Sequence, residues 1–386
     1  MFTEKLYYKD SHMFKFTAKV LDCRNTGRGP AVILDKTAFF PEGGGQQADT
    51  GSIGAAKVTD VQEIQGEILH YCDMALPVGE SFEGSIDCEQ RLCRMQNHSG
   101  EHVVSGLAHK LYGCENVGFH MGEDFVTIDF DRELSWDQLM EIETLANRAV
   151  RENLPVLCTF PEPEKLKAME YRSKLELTEN VRIVEIPGVD RCACCAPHVQ
   201  HTGEIGLIKV LESERHRGGV RLNLACGMLA LRDYRIKQDN VSAISHALSA
   251  KRHETAAAVE RLLNEQQKCK ERLTGLSMEL VRLRADSQNV TEGNICIFDN
   301  VLDEIALREL VNLLMEKCTG IAAAFSGSDD TGYRYIMGSR NVDLKARAKE
   351  LNTLINGRGG GKPQMIQGSA TAQREQIARA LERDYK

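Results

Sequence analysis

Short apolar runs separated by turn-forming residues fill the first ninety residues of the chain. Apolar side chains cluster in residues 14–20, 30–34 and 68–71, and glycine, aspartate and asparagine lie between these runs. Short strands divided by such residues are typical of small β-barrels and sandwiches. We therefore predict a barrel-like β-module over residues 1–88.

The pattern changes to helical spacing after this module. Between Asp87 and Tyr112 apolar residues recur every three or four positions, which predicts a helix, with a break at Gly100 as one option. Residues 125–131 alternate as a strand does, and residues 135–152 form an amphipathic helix pattern with Ser135 as its N-cap. We expect mixed elements to continue, so residues 89–237 are predicted as one α/β domain.

A long helical pattern follows. Residues 240–287 contain no proline and a single glycine, Gly275. Apolar side chains occupy the a and d positions of four heptads, interrupted once at Gln266: Val259, Leu262, Cys269, Leu273, Leu276, Leu280 and Leu283. A continuous helix of this length would span roughly 70 Å. We predict a coiled-coil spacer over residues 238–290 that forms a homodimer, with a hairpin turning at Gly275 as the alternative.

Strand and helix patterns alternate again in the last part of the chain, residues 291–386. The expected order is a strand, a helix from Glu304, two strands, a helix from Leu344, a glycine loop and a final helix over residues 370–381. This segment is predicted as a C-terminal α/β domain. The whole chain is thus predicted to be a multidomain α+β protein.

Composition and charge limit the class of protein. The chain has 386 residues, 42% hydrophobic and 27% charged, as globular proteins do. No apolar run approaches the roughly 18 residues of a membrane span, and the first residues lack a signal-peptide pattern, so we expect a cytoplasmic protein with no membrane partner. Thirteen cysteines in such a chain favour thiols or metal ligands over disulfides.

The charge is unevenly distributed along the chain. The net charge of −8 argues against a generic nucleic-acid binder. Residues 331–386, however, hold eleven Lys and Arg against five Asp and Glu, a net of +6. Any contact with nucleic acid is therefore expected to be local, and a solvated basic surface is the alternative.

Two clusters of metal-ligating side chains are the sharpest chemical signal. His98 and His102 are four residues apart, so on a helix both project from one face. About ninety residues later, thiols and an imidazole lie close together: Cys192, Cys194, Cys195 and His198. Such a set suits Zn²⁺ better than Mg²⁺ or Ca²⁺. The spacing leaves open which cysteine binds, and buried thiols beside unrelated histidines are the alternative.

These clusters also resemble the motifs of a known family. His98 and His102, then Cys194-x-x-x-His198 and residues 199–206, resemble the zinc motifs of the alanyl-tRNA synthetase editing domain and of the free-standing AlaX trans-editing proteins. The glycine-rich segment 39–51 and residues 217–221 resemble two further family motifs. The resemblance implies one zinc ion per chain, with Cys195 as the second choice after Cys194 in a ligand set of His98, His102, Cys194 and His198.

Further residues are candidates for catalysis or substrate binding. Gln46, Glu101 and His120 are predicted as catalytic, with a tight turn, a solvated side chain and a surface histidine as the respective alternatives. Glycines that let backbone N–H groups approach the substrate, together with two arginines, are predicted to bind substrate or tRNA: Gly43, Gly44, Gly45, Arg217 and Arg221.

Residues 294–386 carry a second resemblance. They are similar to the C-terminal domain shared by alanyl-tRNA synthetases and the DHH phosphoesterases, which carries a Gly-Gly-Gly motif. The chain has no Asp-His-His triplet, so we expect tRNA binding or oligomerisation from this domain rather than catalysis. A glycine loop that opens a helix can cradle phosphate, which predicts tRNA contacts at Arg358, Gly359, Gly360, Gly361 and Lys362.

The combined picture resembles the long AlaX type, which implies zinc-dependent hydrolysis of the ester in Ser-tRNA(Ala) or Gly-tRNA(Ala). Because the chain begins with the β-module, we do not expect it to charge tRNA by the family's route. Four protein ligands would close the zinc shell, so either one ligand is labile or zinc only orients the substrate. The alternatives are a non-catalytic zinc-containing tRNA-binding protein and a metal-dependent hydrolase of a small ester or amide.

Overall fold

A computed structural model describes residues 2–173 and 181–382, and the chain divides into two compact units, Met1–Ala243 and Ile244–Lys386. The first unit opens with eight strands: β1 (Glu4–Lys5), β2 (Lys15–Thr26), β3 (Gly29–Leu34), β4 (Lys36–Thr37), β5 (Gly51–Ile53), β6 (Ala56–Ile64), β7 (Glu67–Cys72) and β8 (Ser81–Ile86). Six of them close into a barrel in the order β2-β3-β7-β6-β5-β8, and β1 pairs with β4.

Alternation of side chains along the strands builds the barrel core. In β2, Phe16, Ala18 and Val20 are buried while the residues between them are exposed. Side chains of a strand point alternately to its two faces, so one face fills the interior and the other meets water. The β-rich pattern over the first ninety residues therefore predicted the strand content of this module.

A single long helix, α1 (Cys88–Tyr112), follows the barrel. It begins at Asp87, whose side chain accepts a hydrogen bond from the Gln90 N–H, and ends at Gly113 in the left-handed conformation (φ 62°). The optional break at Gly100 is wrong, because the helix is continuous there. A Cβ at Gly100 would lie 2.2 Å from Cys226 Sγ, so this glycine permits close packing rather than a break.

The rest of the first unit combines two sheets with two helices, and a third helix begins in it and ends beyond its last residue, Ala243. Its elements are β9 (Asn116–Met121), β10 (Val126–Phe130), α2 (Trp136–Glu152), β11 (Leu157–Thr159), α3 (Pro163–Lys167), β12 (Ile183–Ile186), β13 (Asp190–Ala193), β14 (Ile208–His216), β15 (Gly219–Cys226) and α4 (Met228–Ala247). The sheets have the orders β14-β15-β10-β9 and β11-β12-β13. The predicted strand and the predicted helix capped by Ser135, which makes a capping box, are confirmed as β10 and α2.

The segment predicted as one long helix is divided. α4 ends at Ala247, and α5 (Thr255–Asp286) begins after a break in which Ser249 has a positive φ of 49°. The continuous helix over residues 240–287 is therefore wrong. A hairpin at Gly275 is wrong as well, because α5 runs through this residue. Whether the apolar stripe on α5 forms a coiled coil stays a prediction.

The second unit continues with a five-stranded sheet and three helices. These are β16 (Ile295–Phe298), α6 (Glu304–Leu314), β17 (Ala322–Ser328), β18 (Gly332–Gly338), α7 (Leu344–Leu354), β19 (Gly357–Lys362), β20 (Met365–Ala370) and α8 (Arg374–Leu381), with the strand order β16-β17-β18-β20-β19. α6 packs against one face of the sheet, and α7 and α8 pack against the other. The α+β class with several domains is confirmed.

The glycine run near the end of the chain is a strand and not a loop. Gly357–Lys362 forms the edge strand β19, and the next helix begins only at Arg374. A Cβ at Gly359 would lie 2.4 Å from Tyr335 Oη, so glycine lets this strand pack closely. The predicted phosphate cradle at a helix N-terminus is therefore wrong. Within residues 2–173 and 181–382, no helix is long and apolar enough to cross a membrane.

Candidate metal centre

The four predicted metal ligands converge in the first unit. His98 and His102 lie one turn apart on α1, and Cys194 and His198 follow β13. One donor atom from each residue lies within 4.8 Å of the others, and Cys194 Sγ is 3.5 Å from His98 Nε2 and 3.3 Å from His198 Nε2. Zinc bound tetrahedrally by nitrogen and sulfur places its ligand atoms roughly 3.3–3.7 Å apart. The donor types and spacing therefore fit zinc.

Each imidazole of the cluster is held through its Nδ1 atom. The partners lie outside the cluster: Gln46 Oε1 for His98 (2.9 Å), Asp190 Oδ2 for His102 (3.0 Å) and Ser99 Oγ for His198 (3.0 Å). Such bonds fix the ring orientation and the tautomer of a metal-binding histidine. The Nε2 atoms are thereby left for the metal.

Asp190 is the strongest of these partners, and no local pattern in the sequence identified it. Its carboxylate accepts two hydrogen bonds from Arg172, at 2.8 and 3.0 Å, besides its contact with His102. Burial favours the neutral acid, but the bonds from His102 and Arg172 outweigh it and lower the pKa of Asp190 to about 2. The carboxylate is therefore charged at neutral pH and favours a protonated Nδ1 on His102.

The electrostatics of the three neighbouring cysteines differ. Burial opposes ionisation of Cys194, yet His98 and His198 hold its pKa well below the usual thiol value. Burial raises the pKa of Cys192 to about 11 and also raises the pKa of Cys195. A metal binds the thiolate form, so Cys194 is the best ligand among the three. Cys195 instead lies beside the glycine turn, with its Sγ 3.4 Å from the Cβ position of Gly44.

The predicted glycine-rich segment folds into a tight turn at the edge of the cluster. Backbone hydrogen bonds of 3.0 Å connect Gly43 and Gln46 in both directions, and Gly44 and Gly45 have positive φ angles of 61° and 81°. A Cβ at Gly45 would lie 2.4 Å from the Phe119 ring, so only glycine fits there. The turn therefore places Gln46 next to His98.

A buried ion pair fastens this segment to α1. Asp49 and Arg91 are each at most 1% exposed, and Arg91 Nε donates to Asp49 Oδ1 at 3.0 Å. Arg91 also donates to the Ala38 carbonyl at 2.6 Å. Because Arg91 precedes His98 by two helical turns, it lies on the same face of α1. The barrel and the ligand-bearing helix are thus held in a fixed relation.

Glu101 is buried and lines the cavity beside the metal cluster. Its Oε1 accepts hydrogen bonds from Ser105 Oγ at 2.6 Å and from Asn116 Nδ2. Its Oε2 lies 3.9 Å from His102 Nε2. The alternative of a solvated side chain therefore does not apply, because one carboxylate oxygen is anchored while the other lies near a metal ligand.

Other predicted site residues are not brought into this pocket. His120 is exposed, since its strand β9 turns Phe119 toward the cluster instead. Arg217 lies in the exposed turn between β14 and β15. Arg221 makes a bidentate pair with Asp129, at 2.7 and 2.8 Å. Strand alternation directs His120 away from the cluster. The turn between β14 and β15 holds Arg217 at the surface, and the ion pair with Asp129 holds Arg221.

The cluster opens into a cavity of about 460 Å³. Its wall includes aromatic side chains that sequence reasoning did not single out, namely Tyr8, Phe119 and Phe160. Phe160 is 52% exposed and its ring lies 5.4 Å from that of Tyr8. These aromatic residues come from separate segments, so no local sequence pattern could have grouped them. The cavity thus combines a candidate metal-binding cluster with an apolar rim.

Three family models match parts of the chain. "tRNA synthetases class II (A)" matches residues 3–90, "Threonyl and Alanyl tRNA synthetase second additional domain" matches residues 181–223, and "DHHA1 domain" matches residues 292–384. All four proposed metal ligands lie outside the first and third of these matches, and Cys194 and His198 lie within the second.

Curated relatives extend the similarity along the whole chain. The chain is 34% identical over 95% of its length to an alanine–tRNA ligase of Natronomonas pharaonis and 32% identical over 95% to that of Pyrococcus abyssi. It spans 42% of the length of each of these ligases. It is 28% identical over 97% of its length to the alanyl-tRNA editing protein AlaX-L of Pyrococcus horikoshii, of which it covers 96%.

Proposed function

We propose that the chain is a trans-editing deacylase, because it is similar over 97% of its length to the alanyl-tRNA editing protein AlaX-L and over 95% of its length to alanine–tRNA ligases. Its substrate would be tRNA(Ala) that carries serine or glycine, and its reaction the hydrolysis of the ester between amino acid and tRNA. The observation that carries the proposal is the His98–His102–Cys194–His198 cluster beside a cavity, in which the three histidines are buried and Cys194 is half-buried. The protein would act in the cytoplasm.

We propose that these four residues hold one zinc ion per chain. Zinc bound there would supply a positive charge that attracts and orients an oxygen of the substrate. The thiolate of Cys194 and the three Nδ1 contacts support this ligand set, because they fix both the charge and the orientation of the donors. Because four protein ligands fill a tetrahedral shell, we favour a zinc ion that orients the substrate.

Glu101 is our candidate for the general base. Ser105 and Asn116 hold its Oε1 atom, which leaves Oε2 to accept a proton from a water molecule in the cavity. Gln46 would support a metal ligand and would not be a catalytic residue. Its Oε1 lies 2.9 Å from His98 Nδ1, so its role would be to orient His98.

The rim of the cavity suits the end of a tRNA. Gly44 and Gly45 line the cavity with exposed backbone and without side chains, so their N–H groups are suited to stabilise the negative oxygen of a tetrahedral intermediate. Phe160 and Tyr8 offer apolar surface on which a terminal base can stack. Affinity for the rest of the tRNA would come from the C-terminal domain, with Arg358, Gly359, Gly360, Gly361 and Lys362.

We further propose the domain division made from the sequence, with a module over residues 1–88, an editing domain over 89–237, a spacer over 238–290 and a C-terminal domain over 291–386. A homodimer through the apolar stripe of α5 is part of this proposal. Leu262, Leu273 and Leu276 are each more than half exposed, and burial of such a stripe favours association.

The decisive experiment measures deacylation of Ser-tRNA(Ala), Gly-tRNA(Ala) and Ala-tRNA(Ala) by the full chain. We expect turnover of the first or second and little of the third. Glu101→Gln should lower kcat about 100-fold or more, because loss of general-base catalysis costs about that much. Glu89→Gln is the control, since this exposed side chain lies in the first turn of the same helix and does not line the cavity. Zinc and tRNA binding without any turnover would instead identify a non-catalytic tRNA-binding protein.

A further inference from the structure

Arg182 is a buried cation in the wall of the cavity beside the metal cluster. The residue is 6% exposed, and its side chain lines the cavity. Arginine is seldom buried in this way unless a group of opposite charge lies beside it. In the parts of the chain that the structure describes, residues 2–173 and 181–382, Arg182 forms no ion pair with a carboxylate. Its positive charge therefore lacks a counter-charge from these residues.

Neutral groups hold the guanidinium of Arg182 in place. Its Nη1 atom donates hydrogen bonds to the backbone carbonyls of Cys194, at 3.0 Å, and Ala196, at 2.8 Å. Its Cζ atom lies 5.2 Å from the centre of the Tyr8 ring. Carbonyl oxygens and the face of an aromatic ring attract a cation, but neither carries a full negative charge. These contacts therefore fix the orientation of the guanidinium without neutralising it.

The ionisable side chains beside Arg182 supply no negative charge to it at neutral pH. Burial raises the pKa of the Tyr8 hydroxyl to about 12 and also raises the pKa of the Cys158 thiol, so both groups are neutral. The Cys194 sulfur contacts the metal cluster instead, at 3.5 Å from His98 Nε2 and 3.3 Å from His198 Nε2. Because an isolated buried cation is costly, an anion that enters the cavity would stabilise this arrangement.

We propose that Arg182 binds the phosphate between the last two nucleotides of the tRNA, an inference that rests on the proposed deacylase function. The guanidinium presents several N–H donors in a fixed plane, which suits the oxygens of a phosphate. A phosphodiester is favoured over the carboxylate of a released amino acid because Arg182 lies against Tyr8, at the rim proposed for the terminal base. A base stacked there brings the phosphate of its own nucleotide close. Arg182 would thus position the substrate and would not take part in ester cleavage.

The test compares two ligands that differ in charge at this phosphate. The dinucleotide CpA carries the last phosphodiester of a tRNA, and its methylphosphonate analogue has nearly the same shape without the charge. The full-length protein should bind CpA about 10-fold or more tightly than the analogue, because hydrogen bonds between charged groups are the strong ones. Arg182→Gln should bind both ligands with the affinity that the wild type has for the analogue. Ligand-observed NMR titration measures these affinities.

Two further variants separate phosphate binding from a purely structural role. Arg148→Gln removes an exposed arginine that pairs with Glu152 on α2 and lies outside the cavity lining, so it should keep the preference for CpA. Arg182→Lys retains the positive charge and should keep a preference as well. If both substitutions of Arg182 also abolish binding of the uncharged analogue, the residue is structural and the proposal is overturned.

Other results would overturn the proposal as well. These are equal affinity of the wild type for the two dinucleotides, binding of neither, or a full preference for CpA in Arg182→Gln. Arg182-dependent binding of free serine, with no preference between the dinucleotides, would assign the cation to the carboxylate of an amino acid. Because these titrations involve no turnover, failure of the deacylase assay would be a separate result that leaves them unchanged.

Discussion

At the scale of single residues, the buried carboxylate of Asp190 is the main support of the metal centre. It contacts the ligand His102 on one side and the guanidinium of Arg172 on the other. Removal of its charge would leave a buried cation without a partner and release the orientation of a ligand ring. We therefore predict that Asp190 holds His102 in the orientation for metal binding.

Asp190→Asn should lower zinc affinity about 10- to 100-fold, which is the usual effect of losing a hydrogen-bonded carboxylate behind a ligand histidine. Competition with a zinc-sensitive fluorescent chelator measures this affinity. The control is Glu185→Gln, which removes a half-buried carboxylate paired with Arg191 on the neighbouring strand. Wild-type zinc affinity in Asp190→Asn would show that Asp190 does not support the ligand.

His70 in the barrel predicts a pH dependence of stability. Burial lowers its pKa from 6.5 to about 4, and its ring bonds to Thr37 Oγ1 (2.8 Å) and the Val32 carbonyl (2.9 Å). As pH falls, His70 therefore takes up a proton at a higher pH in the unfolded chain than in the folded protein. His70 should reduce the free energy of unfolding by about 2 kcal/mol between pH 7 and pH 5.

Urea unfolding at both pH values tests this dependence. His70→Gln keeps a polar side chain but cannot titrate in this range, so its free energy of unfolding should change less between the two values. The other histidines are common to both proteins and cancel in the comparison. The same loss of stability in wild type and variant would remove His70 as its cause.

At the scale of elements, α1 connects the barrel to the metal centre. Three residues along this helix have different contacts. Arg91 pairs with Asp49, His98 contacts Gln46, and Glu101 lines the cavity. A small shift of the helix would therefore change the position of two metal ligands at once. Close packing at Gly100 fixes that position.

Gly100→Ala should destabilise the protein by roughly 1–3 kcal/mol, although alanine is the better helix former, because its Cβ would overlap Cys226 Sγ. Gly275→Ala is the matched control. Nothing lies within 4 Å of a Cβ at Gly275 on α5, so this change should stabilise the helix by up to about 1 kcal/mol. Urea unfolding measures both, and a stabilised Gly100→Ala would contradict the packing argument.

At the scale of the whole molecule, the two units carry different kinds of chemistry. The candidate metal cluster and its cavity lie in Met1–Ala243, whereas the exposed apolar stripe of α5 lies in Ile244–Lys386. The stripe is the feature that predicts association. Leu273 and Leu276 are 60% and 53% exposed, and burying both against a second copy would contribute several kcal/mol.

Sedimentation velocity should therefore find a dimer of the full chain. Leu273→Glu/Leu276→Glu should weaken it on the order of 100-fold or more, because two buried leucines would be lost and two charges added. Gln267→Glu/Thr274→Glu adds the same charge on another side of α5 and should remain dimeric. A wild-type protein that sediments as a monomer at every concentration would refute dimerisation through the stripe.

The sequence by itself determined the features that depend on local spacing. The i, i+4 pair of His98 and His102, the cap at Ser135 and the exposed stripe of α5 follow from helical periodicity, which any helix of that sequence preserves. The Cys194 and His198 pair was likewise readable from its short spacing and its resemblance to family motifs. Local spacing is enough to predict these features, because each depends only on residues that are close together in the sequence.

Tertiary structure alone decided which distant groups meet. Asp190 and Arg172 reach His102 from other elements, and no periodicity in the chain connects them. Packing also made Gly100 a contact point and Gly359 part of an edge strand, because Cys226 and Tyr335 fill the space beside them. His120 faces outward because side chains alternate along β9, so that Phe119 and not His120 points toward the cavity. A glycine or a histidine has the same identity in every setting, and only its neighbours in space define its role.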